Sequence, residues 1–293
     1  MVEERSWRTV VFDAFNYVLV GLLALSCVLP MVHTLAVALS GRAATEGGFV
    51  VLWPVNFTWA NFQRVLANLQ FRRSFTVSVV RLLSGVTVQM LMTVFTAYPL
   101  SVAETFPGKK AFRWALLFGM LFSGGLIPMY LALRSLRILN SLLALILPGA
   151  LPVFYVIVLL NFFRRLPPEL FESASIDGAS HWEILWRIYL PLSLPSLATL
   201  TLFSAVGHWN AWFDGLVYIL DTRNRPLQSY LQQAVMLGNV TDLLTTDPEL
   251  LDRISNRSLR AAQVMFATVP ILILYPFLQR YFVAGLTLGS VKG

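Results

Sequence analysis

The stretch ELFESASIDGASHWEILWRIYLPLSLP, residues 169–195, lies between two long apolar runs and decides how the chain is read. Pro167-Pro168 closes the run before it, because proline has no backbone N–H and blocks continuation of a helix. Glu169 and Glu172 open a short helix over Glu169–Ile176, where their charge favours the positive end of the helix dipole. Asp177-Gly178 is a turn in which glycine supplies a positive φ. Ser180 caps a second helix. There Trp182, Leu185, Trp186 and Tyr189 recur at helical spacing, and Glu183 pairs with Arg187 one turn on. Pro191 and Pro195 aim the chain into the next apolar run. Two short helices around a glycine bend make a compact polar knob. The competing reading is an amphipathic hairpin lying on lipid headgroups.

The surroundings of the knob are built for lipid. Of 293 residues, 57% are hydrophobic and 13% charged, against about 25% charged in soluble domains. Six runs, residues 18–39, 82–103, 115–133, 141–163, 190–213 and 261–279, contain no Asp, Glu, Lys or Arg. Each is close to the roughly 20 residues that cross a bilayer. Backbone groups in hydrocarbon must be satisfied within their own segment, so these runs are expected as helices. The reading is an all-α polytopic membrane protein with six spans. Residues 1–293 form one transmembrane domain, without a detached soluble domain or an internal repeat. The first run follows Arg5 and Arg8 and exceeds a cleaved h-region of about 7–15 residues, so a retained anchor is expected. The residues before Cys27 fit a lipoprotein signal poorly, and a lone cysteine permits no internal disulfide. His33, His181 and His208 are too scattered for a metal site.

Six spans put both termini on one side of the membrane. The distribution of Lys and Arg over the loops does not decide which side that is. On the side opposite the knob every cation is arginine, including Arg42, Arg64, Arg72, Arg73, Arg81, Arg134 and Arg137. Arginine suits bidentate recognition of an anion; ordinary arginines in solvated loops account for the pattern equally well. The connection 40–81 is rich in aromatics that suit a membrane interface. The connection 220–260 contains Thr246-Asp247-Pro248-Glu249, an N-cap with proline at the first helical position. The third and fourth runs are interrupted, by Ser123-Gly124-Gly125 with Pro128 and by Pro148-Gly149 with Pro152. Such breaks either admit a close helix crossing or line a cavity.

Glu172-Ser173-Ala174, then Gly178 after three residues, Ile188 after nine more, and Leu190-Pro191 resemble the EAA loop of ABC-importer permeases at every step. Ser173 departs from the family's first alanine but remains small. Ile176-Asp177-Gly178-Ala179 is similar to the form of that loop in the carbohydrate-uptake branch. Trp209-Asn210-Ala211-Trp212 resembles that branch's Trp-Asn motif, and the ending from Tyr275 to Gly293 resembles its terminus. Within the branch the likeness is to oligosaccharide and polysaccharide permeases, the alginate importer's membrane subunit among them. The resemblance implies the type I ABC-importer permease fold. It makes residues of about 164–191 a cytoplasmic coupling loop, with Glu172, Ser173, Ala174, Ile176, Asp177, Gly178, Ala179 and Pro191 at or near an ATPase, and with residues 285–293 reaching toward it. It implies a dimer of ATPase subunits that binds ATP and Mg, so that this chain needs no cofactor and catalyses no reaction. It also implies a homologous second permease, an extracellular or periplasmic binding protein, a bacterial inner membrane, and cytoplasmic termini. The cargo it implies is an oligo- or polysaccharide, with an anionic uronic-acid polymer suiting the arginines.

His208, Trp209, Asn210, Trp212 and Asp214 are candidate pathway residues, since polar groups at membrane depth are costly without a role and aromatic faces suit sugar rings. Helical spacing would place Asn210 with Asp214 and His208 with Trp212. Alternatively the tryptophans belong to the interfacial belt. Arg81, at the mouth of the second run, is expected to snorkel to headgroups, the alternative being that it steers an anionic substrate. Two other functions would need residues of a different kind. A membrane-embedded glycan-processing enzyme needs a catalytic constellation, and no His-Glu-x-x-His or Gly-x-Ser-x-Gly is present. Gly108-Lys109-Lys110 lacks the rest of a phosphate loop. A secondary transporter needs buried ionisable relays, and the spans offer little beyond His33, His208 and Asp214.

Overall fold

A computed structural model describes residues 7–102, 108–236 and 255–290, and among them all regular structure is helical. The Thr246–Glu249 cap signal and residues 291–293 lie outside the described residues. Contacts divide the chain into two compact units, Met1–Leu69 with Gln233–Thr268, and Gln70–Gln232 with Val269–Gly293.

The first unit is led by α1, Trp7–Ala38, which buries only its last turn, Ala36 to Ala38. The rest exposes Leu, Val and Phe on all faces, the pattern of a helix whose solvent is lipid. Its C-terminal carbonyls, orphaned where the helix ends, are taken up by side chains. Asn61, on α3 (Ala60–Ala67), donates from Nδ2 to the carbonyls of Ala38 at 2.8 Å and Ser40 at 3.2 Å. The Ser40 hydroxyl donates to Ala36 at 2.6 Å and accepts from the Val55 amide at 3.0 Å. Between them α2, Arg42–Glu46, contributes Thr45, whose hydroxyl accepts from Ser258 at 3.0 Å. The aromatics of residues 49–62 sit beside this knot, and Phe62 meets Phe266 edge-on at 5.4 Å.

The second unit holds most of the apolar runs. α4, Leu69–Val102, is one uninterrupted helix, as is α1, and both are long and apolar enough to cross a membrane. Three further runs are bent pairs. α5 (Lys109–Leu121) and α6 (Leu126–Ser135) turn by 117° at the Ser123-Gly124-Gly125 break. Gly125 has φ +83°, a region closed to most side chains, which is why glycine stands there. α7 (Leu142–Ile146), continued by a 3-10 turn over Leu147–Gly149, meets α8 (Val153–Phe163) at 49°. The knob follows as α9, Glu169–Ile176, and α10, His181–Ile184. A wide π-helical turn, Leu185–Tyr189, leads to α11, Leu190–Leu192. The chain then bends by 80° at Ser193 into α12, Leu194–Asn210. Pro191 and Pro195 flank that corner, and the wide turn lengthens the ladder just where Pro191 cannot donate. α13 (Phe213–Tyr218) and α14 (Leu227–Met236) follow, and α15, Asn256–Ser290, contains the last apolar run.

One buried cluster of this unit lies beneath the knob. Leu100 and Tyr98 of α4, Leu159 and Phe163 of α8, Ile184, Leu185 and Tyr189 of the knob, and Leu200 of α12 pack together. A smaller cluster forms round Leu133, Leu145 and Ile219. Dispersion contacts and the fit of small to large residues hold such clusters, because lipid gives little hydrophobic drive between helices.

Candidate functional site

The knob is closed by local hydrogen bonds at both of its helices. At the end of α9 the amides of Gly178 and Ala179 donate to the carbonyls of Ser175 at 3.2 Å and Ala174 at 3.0 Å. Those are the two bonds of a Schellman motif, closed by a left-handed residue, and Gly178 supplies it at φ +79°. α10 starts with a capping box: Ser180 Oγ accepts from the Glu183 amide at 3.3 Å, and Glu183 Oε2 accepts from the Ser180 amide at 3.0 Å. These bonds hold the Glu183 carboxyl below the usual carboxylate range, the Ser180 amide being the largest cause, with the Ser180 hydroxyl and Arg187 adding to it.

Its underside is anchored and its tip is free. The Tyr98 hydroxyl of α4 donates to the His181 carbonyl at 3.0 Å. Tyr98, Phe163 and Tyr189 meet edge-on at 5.2–6.5 Å, and Phe171 lies 5.7 Å from the His181 ring. Ala174 and Ala179 pack on the same cluster, while Glu172, Ser173, Asp177 and Gly178 are exposed. Ile176 is 86% exposed, an apolar side chain on a stiff polar protrusion. Glu172 also borders a cavity of about 450 Å³ at the knob's root, with Arg164 and Tyr189. The aromatic stripe expected on the second helix divides: Leu185 and Tyr189 are buried, whereas Trp182 and Trp186 face outward and Trp182 stacks on Phe95 at 5.7 Å.

A second cavity, of about 390 Å³, opens where the broken runs meet. It is lined by Arg81 and Gln89 of α4, Pro148-Gly149, Tyr155 of α8, Ser204 and His208 of α12, and Asp214 of α13. The Pro148-Gly149 break therefore lines a cavity. Gln89 ties it together: its Nε2 donates to the Gly149 carbonyl at 2.7 Å and its Oε1 accepts from Ser204 at 2.5 Å. Gln89 could have been suspected from the sequence as an amide within an apolar run; Tyr155 and Ser204 carry no such signal. The His208 ring lies against Gly85, where an added Cβ would meet it at 2.5 Å.

Of the five candidate pathway residues, His208 and Asp214 reach this cavity. Trp209 is buried and packs edge-on against Phe75 at 5.8 Å, and Asn210 and Trp212 are exposed. The expected pairings of Asn210 with Asp214 and of His208 with Trp212 fail because the helix does not continue. Ala211 is extended, with φ −68° and ψ 121°, and a new helix starts at Phe213. Arg81 does not snorkel: it is 2% exposed, and its two Nη atoms bind the two carboxylate oxygens of Asp214.

Comparison with known proteins agrees with this geometry. Protein LplC of Bacillus subtilis is 39% identical over 285 residues, which is 97% of this chain and 95% of that protein. The polygalacturonan/rhamnogalacturonan transport system permease protein YtcP of the same organism is 36% identical over 287 residues, 96% of this chain and 98% of that one. A chain from the crystal structure of a bacterial ABC transporter involved in the import of the acidic polysaccharide alginate superposes with a TM-score of 0.85. The two are 31% identical, covering 94% of this chain and 98% of the other. The sequence pattern of the binding-protein-dependent transport system inner membrane component matches residues 74–288, from α4 through the knob and both cavities into α15. With that match over most of its length, this chain, helical throughout its described regular structure and carrying a capped polar knob, belongs to the family of binding-protein-dependent transport system inner membrane components.

Proposed function

We propose that this chain forms half of the translocation pathway of an ATP-driven importer for oligo- or polysaccharides bearing uronic acids, and that it is driven through the knob. The observation that carries the reading is the knob itself. Its two helices are locked by the Schellman motif and the capping box, pinned from below by Tyr98, and offer Ile176 with the Asp177-Gly178 bend to solvent. A protrusion so stiff transmits force instead of absorbing it. Glu172, Ser173, Ala174, Ile176, Asp177, Gly178 and Ala179 would meet or support the contact with a cytoplasmic ATPase, and Pro191 would carry the motion round the corner into α12. ATP and Mg belong to that ATPase; this chain is a transport subunit without a cofactor of its own.

A homologous second permease completes the pore, a binding protein delivers cargo from outside, and both termini lie on the cytoplasmic side with the knob. His208 and Asp214 face the passing sugar, with Trp209 supporting the wall, and Asn210 and Trp212 meet it at another stage of the cycle. The carbohydrate reading is supported by the names of the similar permease and of the similar alginate transporter, both of which concern acidic polysaccharides. The test is reconstitution with a partner permease, the ATPase and a binding protein in liposomes. Uronic-acid oligosaccharides should stimulate ATP hydrolysis and accumulate inside. Full uptake by this chain alone without ATP would overturn the reading.

A further inference from the structure

Arg81 and Asp214 form a buried ion pair whose two halves are held very differently. Arg81 stands on α4, and its side chain is 3% exposed, against 26% for that of Asp214. Its Nη1 also donates to the Ala211 carbonyl at 3.3 Å, at the break between α12 and α13. Its Nε is buried and has no partner. Asp214 sits at the start of α13, where its Oδ1 accepts the Gly215 amide at 2.8 Å. Both line the cavity described above, and so does His208. The cation is therefore the fixed, deep half, the carboxylate is the half nearer the opening, and the Arg81 Nε beside them is unused.

The pair is not sealed between its helices but faces the cavity. Facing it also leaves the pair open to competition. A carboxylate entering the cavity presents Arg81 with the same bidentate geometry that Asp214 offers, and a neighbouring hydroxyl would find Arg81 Nε still without a partner. Without an exchange of this kind an anionic sugar would meet a guanidinium already neutralised. Resting on the uronic-acid reading above, we propose that Asp214 is a resident counter-ion standing in for cargo, and that a sugar carboxylate displaces it from Arg81. The pair then selects anionic over neutral oligosaccharides. Because Asp214 opens α13, the exchange frees one of the two ties that Arg81 makes at the joint between α12 and α13, the other being the Ala211 carbonyl, at the moment cargo arrives.

The experiment uses the assembled importer in nanodiscs without its binding protein, so that selectivity comes from the membrane subunits alone. Equilibrium binding is measured for a galacturonate trisaccharide and for the matching galactose trisaccharide, in which each carboxylate is replaced by a hydroxymethyl group. The wild type should prefer the uronate. Asp214→Asn removes the competitor and should raise that preference by about tenfold, while Arg81→Gln should abolish it. Asp214→Glu keeps the counter-ion and should preserve the wild-type ratio. A structural role would weaken both sugars together and leave the ratio of the two affinities untouched. A ratio within about twofold of wild type in both Asp214→Asn and Arg81→Gln, with assembly intact, would overturn the proposal. Wild-type particles that couple ATP hydrolysis to a loaded binding protein yet prefer the neutral trisaccharide would also overturn it, while leaving the transport reading in place. Particles with no coupled hydrolysis would sink that reading first.

Discussion

Replacing Gly178 separates the knob's geometry from everything else the chain does. Gly178 sits at φ +79°, and an added Cβ would find nothing within 4 Å, so the cost of a substitution lies in the backbone alone. Alanine forced into the left-handed region costs about 1–2 kcal/mol, and asparagine less. Proline costs more, about 3 kcal/mol, because φ is locked near −65° and the amide that donates to Ser175 at 3.2 Å is lost. At about 1.4 kcal/mol per factor of ten, the closed knob should be depleted roughly fivefold to thirtyfold in Gly178→Ala and by more than about a hundredfold in Gly178→Pro. The assay is cargo-stimulated ATP hydrolysis by the reconstituted importer, run beside the unstimulated rate and the thermal midpoint of the permease. Stimulation should fall in the order Gly, Asn, Ala, Pro. The midpoint should fall by only a few degrees, since Gly178 itself is exposed although Ala174 and Ala179 beside it pack on the buried cluster. Normal coupling in Gly178→Pro would refute the reasoning outright. Equal loss in Asn and Pro would refute the backbone argument and point to a side-chain clash with the partner.

Two further outcomes follow from the geometry. Gly85→Ala should push the His208 ring from its place, since the new Cβ would lie 2.5 Å from ring atoms; relief costs about 1–3 kcal/mol and should reduce cargo binding while ATPase docking survives, read by pull-down of the ATPase beside sugar binding. Lowering pH should loosen the cap of α10: the Glu183 carboxyl titrates below its ordinary value of 4.5, so its contribution is complete above that value and is lost as pH falls through the lowered one. Amide exchange at Glu183 should therefore be flat from neutral pH down to that ordinary value once intrinsic rates are removed, and protection should drop only below it; a drop already under way near neutral pH would refute the assignment to Glu183.

Much of this architecture is local and so was written in the chain. Uncharged runs near the length of a bilayer crossing must be helices because hydrocarbon offers their backbone no other partner. Ser180 with Glu183, and Gly178 after α9, name a capping box and a left-handed turn whose bonds span only a few residues. The breaks at Gly124-Gly125 and Pro148-Gly149 were visible for the same reason. What the chain could not disclose was where those breaks lead. A 117° turn at one and a 49° bend at the other depend on what packs beside them. The pairing of Arg81 with Asp214 crosses 133 positions, and Gln89 reaches Gly149 across 60, distances at which no periodicity operates. Arg81 looked like a snorkelling side chain because its place at the end of an apolar run says nothing of a carboxylate brought alongside by another helix. Sequence determined the helices and the knob, whose stabilising bonds are short-range. Tertiary structure alone decided the cavity, because a buried charge is tolerable only where folding supplies its partner.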